Sequence, residues 1–164
     1  MFEFRRLTAE NFCHYEYLVM ASEEVFPEDI RETPETYLEA LRQDGVQAFL
    51  AYFAGDYAGN VVGFSPCPVQ QRILRLHELD TSLDGLIYLF NIVAMPQFQG
   101  CGVGRHLLKY FLSESREAGF IRVGGHFRGN GSLKNFTNRG GAVLAVFDDW
   151  FGTGESYSYC ELDL

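Results

Sequence analysis

The feature that most limits the fold of this chain is an apolar run at 86–94 that leads into a glycine-rich loop. The loop, QGCGVGRH at 99–106, has glycines at alternate positions, and the spacing of apolar residues after it predicts a helix over 103–118. A second apolar stretch predicts a strand over 120–127. The centre of the chain is therefore predicted to be a strand–helix–strand unit.

Shorter elements lie on both sides of this unit. The patterns predict strands at 2–7, 46–54, 60–64, 142–147 and 156–162, and helices at 8–25, 34–42 and 133–138. Thr8 is expected to cap the first helix, and Pro34 to begin the second. Residues 65–85 give no consistent pattern. The order β, α, α, β, β, β, α, β, α, β, β is typical of an α/β fold with a mixed, largely antiparallel central sheet flanked by helices. No linker-like stretch divides the chain, so we expect a single domain over 1–164.

Charge and composition limit the partners. The chain has a net charge of −9, which disfavours nucleic acid and either serves solubility alone or attracts an amine-bearing substrate. The apolar run is too short to cross a bilayer, and MFEFRRLTAENF is unlike a signal peptide, so no membrane association is expected. The four cysteines are scattered without a CxxC pair, which fits a reducing cytoplasm and predicts neither a zinc site nor a disulfide scaffold. We therefore expect a cytoplasmic protein without a metal.

The glycine-rich loop lies where a strand passes into a helix. Amide groups at the start of a helix have no partner within it and lie at the positive end of its dipole. Glycines there allow an anion such as a phosphate to approach the backbone. The spacing Gly100, Gly102, Gly104 differs from the G-x-G-x-x-G of a dinucleotide fold, and Arg105-His106 stands where a P-loop has Lys-Ser/Thr. The loop is thus predicted to bind an anion, but not in either nucleotide-binding pattern.

The segment NIVAMPQFQGCGVGRHLLKYFL resembles motif A of the GNAT superfamily of N-acetyltransferases. Gln99, Gly102 and Gly104 match its signature. The resemblance implies that the loop amides bind the pyrophosphate of coenzyme A. It also implies that the central strands splay apart, so that one exposed strand binds the pantetheine arm and the acetyl carbonyl. The residues it assigns to coenzyme A in this segment are Ile92, Val93, Ala94, Gln99, Gly100, Cys101, Gly102, Val103, Gly104 and Arg105.

A second segment, RGNGSLKNFTNRGG, resembles the later motif of the same superfamily, which flanks the thiol end of the cofactor. Asn130 and Ser132 match it, as does Gly140. Phe136 stands where a tyrosine often serves as general acid, and we assign it to the cofactor site without an acid role. Lys134 and Arg139 are either solvated surface residues or contacts to a cofactor phosphate.

The catalytic groups are less defined than the loop. Tyr88 occupies the position at which some members have a glutamate, and His126, near the end of the following strand, is a candidate base. The leaving thiolate either departs unprotonated or takes a proton from a tyrosine of the last strand, Tyr157 or Tyr159. Three further carboxylates are candidates for an acceptor pocket or for a solvated helix face: Glu23, Glu24 and Glu28.

Together these features predict an N-acetyltransferase that uses acetyl-CoA and no metal. The acetyl group would move directly from the thioester to a primary amine in a ternary complex, and the acceptor is either a small molecule or a peptide. The alternative is a catalytically weak or inactive acyl-CoA-binding module with a regulatory or interaction role. A homodimer is compatible with either interpretation.

Overall fold

The computed structural model describes residues 1–129 and 131–164. In this part of the chain the strands are β1 (Phe2–Arg6), β2 (Gln47–Phe53), β3 (Asp56–Phe64), β4 (Leu86–Ala94), β5 (Arg122–Arg128), β6 (Ala142–Phe147) and β7 (Tyr157–Asp163). The helices are α1 (Phe12–Glu23), α2 (Pro34–Leu41), α3 (Pro68–Ile73), α4 (Val103–Glu117) and α5 (Gly131–Thr137). Short 3₁₀ turns lie between them, at 28–30, 76–78, 96–98 and 150–152.

The order of elements agrees with the sequence prediction, with α3 added in the stretch that gave no pattern. The start of α1 differs, because Thr8 forms a turn with Asn11 in which each backbone amide donates to the other's side chain, at 2.8 and 3.3 Å. The helix therefore begins at Phe12 rather than after Thr8. Thr33 caps α2 and Pro34 is its first residue, as expected.

The β2–β3 hairpin is tighter than predicted. Its turn consists of Ala54 and Gly55, with φ of 54° and 95°. Consecutive positive φ values are typical of the two-residue turns that match the twist of paired strands. As a result β3 begins at Asp56, four residues before the predicted start, and Asp56 pairs with Phe53.

The strands of the described residues form one sheet in the order β1-β2-β3-β4-β5-β7-β6. Every neighbouring pair is antiparallel except β4 and β5, which are parallel and pair only from Leu86↔Arg122 to Tyr88↔Gly124. Beyond Tyr88, β4 continues along β3 while β5 continues along β7. The predicted mixed, largely antiparallel and centrally splayed sheet is confirmed.

Helices cover both faces of the sheet. One hydrophobic cluster lies beneath α1 and α2, and the other lies beneath α4 and α5. A bulge interrupts the pairing of β4 with β3. The register moves from Gly63↔Leu89 to Val62↔Asn91 and leaves Phe90 without an opposite residue, so the bulge changes which β4 side chains face α1 and α2. Among the helices of the described chain, none is long and apolar enough to span a bilayer.

Candidate functional site

The opening between β4 and β5 leaves part of the β4 backbone without a strand partner. Met95 donates its amide to the carbonyl of Ala58 at 2.9 Å, which fixes the alternation of the β3–β4 ladder. It follows that Ile92 and Ala94 direct their N–H and C=O groups towards the opening. Val93 directs its own towards β3, away from the opening, which differs from the assignment of Val93 to coenzyme A.

A cavity of about 290 Å³ lies between this open edge and the first turn of α4. It is lined by Leu89, Ile92, Ala94, Gly104, Arg105, Leu108, Phe127, Gly131, Ser132 and Asn135. Five of these residues were predicted from the sequence to contact a cofactor, from both the first and the second motif. We call this space the donor groove.

The glycine-rich loop stands at the end of the donor groove. Gly102 is the N-cap residue of α4 and has a φ of 78°, which favours glycine. A Cβ added at Gly100 or Gly104 would meet no atom within 4 Å, so the space beside the backbone is open. The first amides of α4 have no acceptor within the helix and are available to an anion.

Two of the predicted loop amides are already used within the loop. The amide of Gln99 donates to the carbonyl of Pro96 at 3.0 Å, and that of Cys101 donates to the carbonyl of Phe98 at 3.1 Å. These bonds form the turn that leads into α4. Gln99 and Cys101 therefore offer their exposed side chains, not their amides, to a bound molecule.

Positive charge is placed beside the loop by α4 and by the end of α5. Arg105 is exposed in the first turn of α4, and Arg139 donates to its carbonyl at 3.2 Å. This contact fixes the guanidinium of Arg139 next to the loop, which favours the phosphate interpretation over that of a solvated surface residue. Lys134 is exposed on α5.

Three of the predicted cofactor residues are placed away from the groove or cannot be placed. Val103 is buried in the core beneath α4. Phe136 is fully buried and packs on Phe127 with ring centroids 4.7 Å apart, so it supports a groove residue instead of contacting a ligand. Asn130 lies outside the described residues.

A second, larger cavity of about 470 Å³ lies on the other side of the opening. Its walls come from the segment between α1 and α2, from β4 and β5, and from the segment between β6 and β7. Leu89, Ile92, Phe127 and Ser132 line both cavities. The two cavities thus meet beside the open edge of β4, and we call the larger one the acceptor pocket.

Tyr88 and His126 are brought together at the base of the acceptor pocket. The Tyr88 hydroxyl and His126 Nδ1 are hydrogen bonded at 2.8 Å, and the imidazole stacks on Trp150 with centroids 4.0 Å apart. Burial, with a smaller effect of the nearby Arg75 charge, lowers the pKa of His126 from 6.5 to about 3. Burial also raises the pKa of Tyr88 well above its usual value. At neutral pH both groups are therefore uncharged, which argues against His126 as the base for an ammonium group.

The two tyrosines of β7 have different surroundings. Tyr159 is fully buried and donates to Glu161 at 2.9 Å, so its hydroxyl does not reach the pocket. Tyr157 is half-buried and lines the acceptor pocket, and burial raises the pKa of its hydroxyl. Tyr157 is thus the member of this pair that remains available as a proton donor.

The carboxylates at the end of α1 also differ. Glu24 and Glu28 are exposed, as a solvated helix face would be. Glu23 is 3% exposed and accepts hydrogen bonds from three groups. They are the Tyr37 hydroxyl at 2.5 Å, the Asn91 side-chain amide at 3.0 Å and the Glu32 backbone amide at 2.8 Å. Glu23 is a buried anchor that joins α1, α2 and β4.

Sequence reasoning missed several residues that line the acceptor pocket. Glu32 is a half-buried carboxylate there, and burial followed by the charge of Glu23 raises its pKa. Trp150 and Phe151 come from the segment before β7. Glu32 could have been found from the sequence, because it lies in the same segment between the first two helices as Glu24 and Glu28, close to Glu23.

Comparisons with known proteins agree with this geometry. The sequence model of the acetyltransferase (GNAT) family matches residues 12–134. A comparison with curated protein sequences gives no match. Among solved structures, the ribosomal-protein-S18-alanine N-acetyltransferase from Escherichia coli is similar with a TM-score of 0.72 and 16% identity, covering 99% of this chain and 94% of that one.

Two further similar structures contain a ligand. The protein yncA from Salmonella typhimurium, with its cofactor acetyl-CoA, has a TM-score of 0.69 and 16% identity, covering 99% of this chain and 94% of that one. Naa50 from Arabidopsis thaliana, in complex with the bisubstrate analogue CoA-Ac-MVNAL, has a TM-score of 0.71 and 14% identity, covering 99% of both chains. These likenesses establish the fold, and the match of the family model spans most of the sequence. The resemblance found in the sequence is confirmed, and this chain belongs to the acetyltransferase (GNAT) family.

Proposed function

We propose that this protein transfers an acetyl group from acetyl-CoA to a primary amine, directly and within a ternary complex. The observation that supports this most is the meeting of the donor groove and the acceptor pocket at Leu89, Ile92, Phe127 and Ser132. Two cavities that share these lining residues at one backbone edge allow both reactants to be bound at once. Reacting atoms brought together in this way gain the rate advantage of proximity.

The residues of the donor groove fit coenzyme A. The amides of Gly100 and of 102–105 are suited to the pyrophosphate, with Arg105 and Arg139 supplying positive charge. The apolar side chains of Leu89, Leu108 and Phe127 suit the pantetheine arm. Ser132 lies where the groove reaches the junction with the acceptor pocket.

The open backbone of β4 is the group suited to polarise a carbonyl. The N–H groups of Ile92 and Ala94 point into the opening, and a fixed N–H donor stabilises the negative charge that develops on a carbonyl oxygen. When bound, acetyl-CoA supplies a thioester whose carbon–sulfur bond breaks as the amine nitrogen bonds to the carbonyl carbon. The amine gives its extra proton to water, and we propose that Tyr157, which lines the acceptor pocket, protonates the thiolate. An unaided thiolate costs only about 2 kcal/mol at neutral pH if it resembles cysteine, so Tyr157 is helpful rather than essential.

Tyr88 and His126 have a positioning role in this proposal. Their 2.8 Å hydrogen bond and the stacking of His126 on Trp150 fix the floor of the acceptor pocket. We further propose that residues 1–164 act as one acetyltransferase domain in the cytoplasm, with a small or peptide amine as partner.

The test combines release of free thiol from acetyl-CoA over a panel of amines with calorimetric titration of coenzyme A. Amine-dependent thiol release together with saturable binding is the expected result. Binding without turnover on any amine would instead favour the acyl-CoA-binding module. That alternative is supported by the buried, uncharged state of both Tyr88 and His126.

A further inference from the structure

The walls of the acceptor pocket are dominated by aromatic side chains. Those that line it are Phe26, Tyr88, Phe90, His126, Phe127, Trp150, Phe151 and Tyr157. They come from four different parts of the chain that meet only in the folded protein. Aromatic rings on opposite walls of a cavity favour a flat apolar ligand, because ring pairs gain from stacked or edge-to-face contact beyond the burial of area.

Two carboxylates line this aromatic pocket, the exposed Asp29 and the half-buried Glu32, and neither has a cationic partner among the described residues. Glu32 forms no ion pair with any arginine or lysine in residues 1–129 and 131–164. The two arginines that line the pocket have other partners. Arg31 donates to the carbonyls of Phe26 and Glu24, and Arg128 pairs with Glu155 at 3.3 Å. A half-buried carboxylate gains most from a cation that the ligand brings with it.

The position of Glu32 relative to the β4 opening is set by Glu23. One oxygen of the Glu23 carboxylate accepts from the backbone of Glu32, and the other accepts from the side chain of Asn91. Asn91 precedes Ile92, whose N–H faces the opening. The backbone of Glu32 and the side chain of Asn91 are therefore tied to the same carboxylate, and both residues line the acceptor pocket.

Phe151 combines a strained backbone conformation with an exposed aromatic side chain. It is 64% exposed, and its φ of 52° and ψ of 28° lie in the left-handed region that residues other than glycine seldom adopt. The adjacent Trp150 is 6% exposed and stacks on His126. A large apolar ring thus stands in solvent at the pocket while its neighbour forms the wall.

From these observations we infer that the acceptor is an arylalkylamine, a primary amine joined through a short alkyl chain to an aromatic ring. The ammonium group pairs with Glu32 in the acceptor pocket, and the ring lies between Phe90 and the contacting pair of Trp150 and Phe151. This inference rests on the proposed function for the transfer itself, but the binding step stands on the pocket alone.

Ligand binding can be measured separately from acetyl transfer by fluorescence. Trp150 is the sole tryptophan of the chain and lines the acceptor pocket, so its emission reports on a ligand bound there. Tryptophan emission is followed during titration with 2-phenylethylamine, with butylamine as a cation without a ring and 2-phenylethanol as a ring without a cation. A saturable change with 2-phenylethylamine at a Kd at least tenfold below that of either control is expected. Equal affinities for 2-phenylethylamine and butylamine would overturn the inference.

Two variants separate the charge from the ring contact. Glu32→Gln should weaken binding of 2-phenylethylamine about tenfold, the loss of one charge-assisted contact, and leave 2-phenylethanol unchanged. Glu24→Gln removes a neighbouring exposed charge outside the pocket and should have no effect. Phe151→Gly suits the left-handed backbone, so it should fold normally and weaken both ring-containing ligands. Tyr17→Ala, at a 71% exposed aromatic residue on α1, is its control.

Acetyl transfer is measured last, as the ratio of kcat/KM for 2-phenylethylamine to that for butylamine and for a peptide with a free N-terminus. A ratio of ten or more over both supports the inference, and a peptide preference overturns it. If 2-phenylethylamine binds with the expected selectivity but no amine is acetylated, the proposed function fails while the ligand class stands.

Discussion

The burial of His126 predicts a specific dependence of stability on pH. The pKa of His126 is lowered from 6.5 to about 3 in the folded protein, mainly by burial of the ring between Tyr88, Phe147 and Trp150. As the pH falls below 6.5, the unfolded chain binds a proton at this residue and the folded protein does not. Proton binding therefore favours the unfolded state over this range, so the contribution of His126 to stability falls with falling pH and levels off near pH 3.

The magnitude follows from the two pKa values. Each pH unit between 6.5 and about 3 costs up to about 1.4 kcal/mol of unfolding free energy, or a few kcal/mol over the whole window. Carboxyl groups elsewhere in the chain titrate in the same pH range. The contribution of His126 is therefore obtained as the difference in unfolding free energy between the natural protein and a variant that lacks this histidine. His126→Asn is suitable, because its side chain retains a polar atom near the position of Nδ1 and cannot titrate.

The assay is urea unfolding of the natural protein and of His126→Asn at half-unit intervals from pH 7.5 to 4.0. The variant is less stable at pH 7.5, since it loses the stacking on Trp150, but the gap should narrow by up to about 1.4 kcal/mol per unit below pH 6.5. His14→Gln, at an exposed histidine, should keep the slope of the natural protein. A gap that stays constant from pH 7.5 to 4.0 would refute the assignment of a buried, neutral imidazole.

Three further perturbations test other parts of the structure. Gly104→Ala should keep or raise the melting temperature, since alanine stabilises the first turn of α4 by up to about 1 kcal/mol. Its methyl group fills the open space beside the backbone and should weaken the binding of coenzyme A measured by calorimetry. An unchanged affinity would contradict the proposed contact between the loop backbone and the pyrophosphate. Tyr37→Phe removes a donor from the buried Glu23 carboxylate and should cost about 1–3 kcal/mol in urea unfolding, whereas a neutral effect would mean that Glu23 is satisfied without it. Gly124→Ala places a methyl group against the Tyr159 hydroxyl and should lower the unfolding free energy by about 1–3 kcal/mol; full stability would show that β5 and β7 are less tightly packed than described.

Local patterns were sufficient for the elements whose limits are marked in the sequence. The bounds of β4 were predicted because a continuous apolar run ends at a turn, and α4 begins at Val103 because Gly102 adopts a left-handed conformation in front of it. The short β2–β3 turn was misplaced, since Ala54 adopts a positive φ that its residue type does not favour. The pairing of β2 with β3 on either side of the turn stabilises this conformation of Ala54.

The parts of the site formed by the backbone of the glycine-rich loop could be predicted from the sequence. The parts formed by side chains that are far apart in the sequence could not. The loop glycines are visible in the sequence because Gly100 and Gly104 leave open space beside the backbone and Gly102 supplies the left-handed N-cap of α4. The neutral state of His126 is not visible, because it results from burial against Trp150, 24 positions later in the chain. Glu32 was overlooked for the same reason, since its place in the pocket is set by the tether to Glu23.

The central claim is that the donor and the acceptor meet at the open edge of β4, with the donor bound by the start of α4. A crystal structure of the protein with coenzyme A tests this most directly. The account predicts the pyrophosphate within hydrogen-bond distance of the amides of Gly100 and of 102–105, and the sulfur at the junction lined by Leu89, Ile92, Phe127 and Ser132. Coenzyme A bound elsewhere, or with its sulfur directed away from that junction, would contradict it.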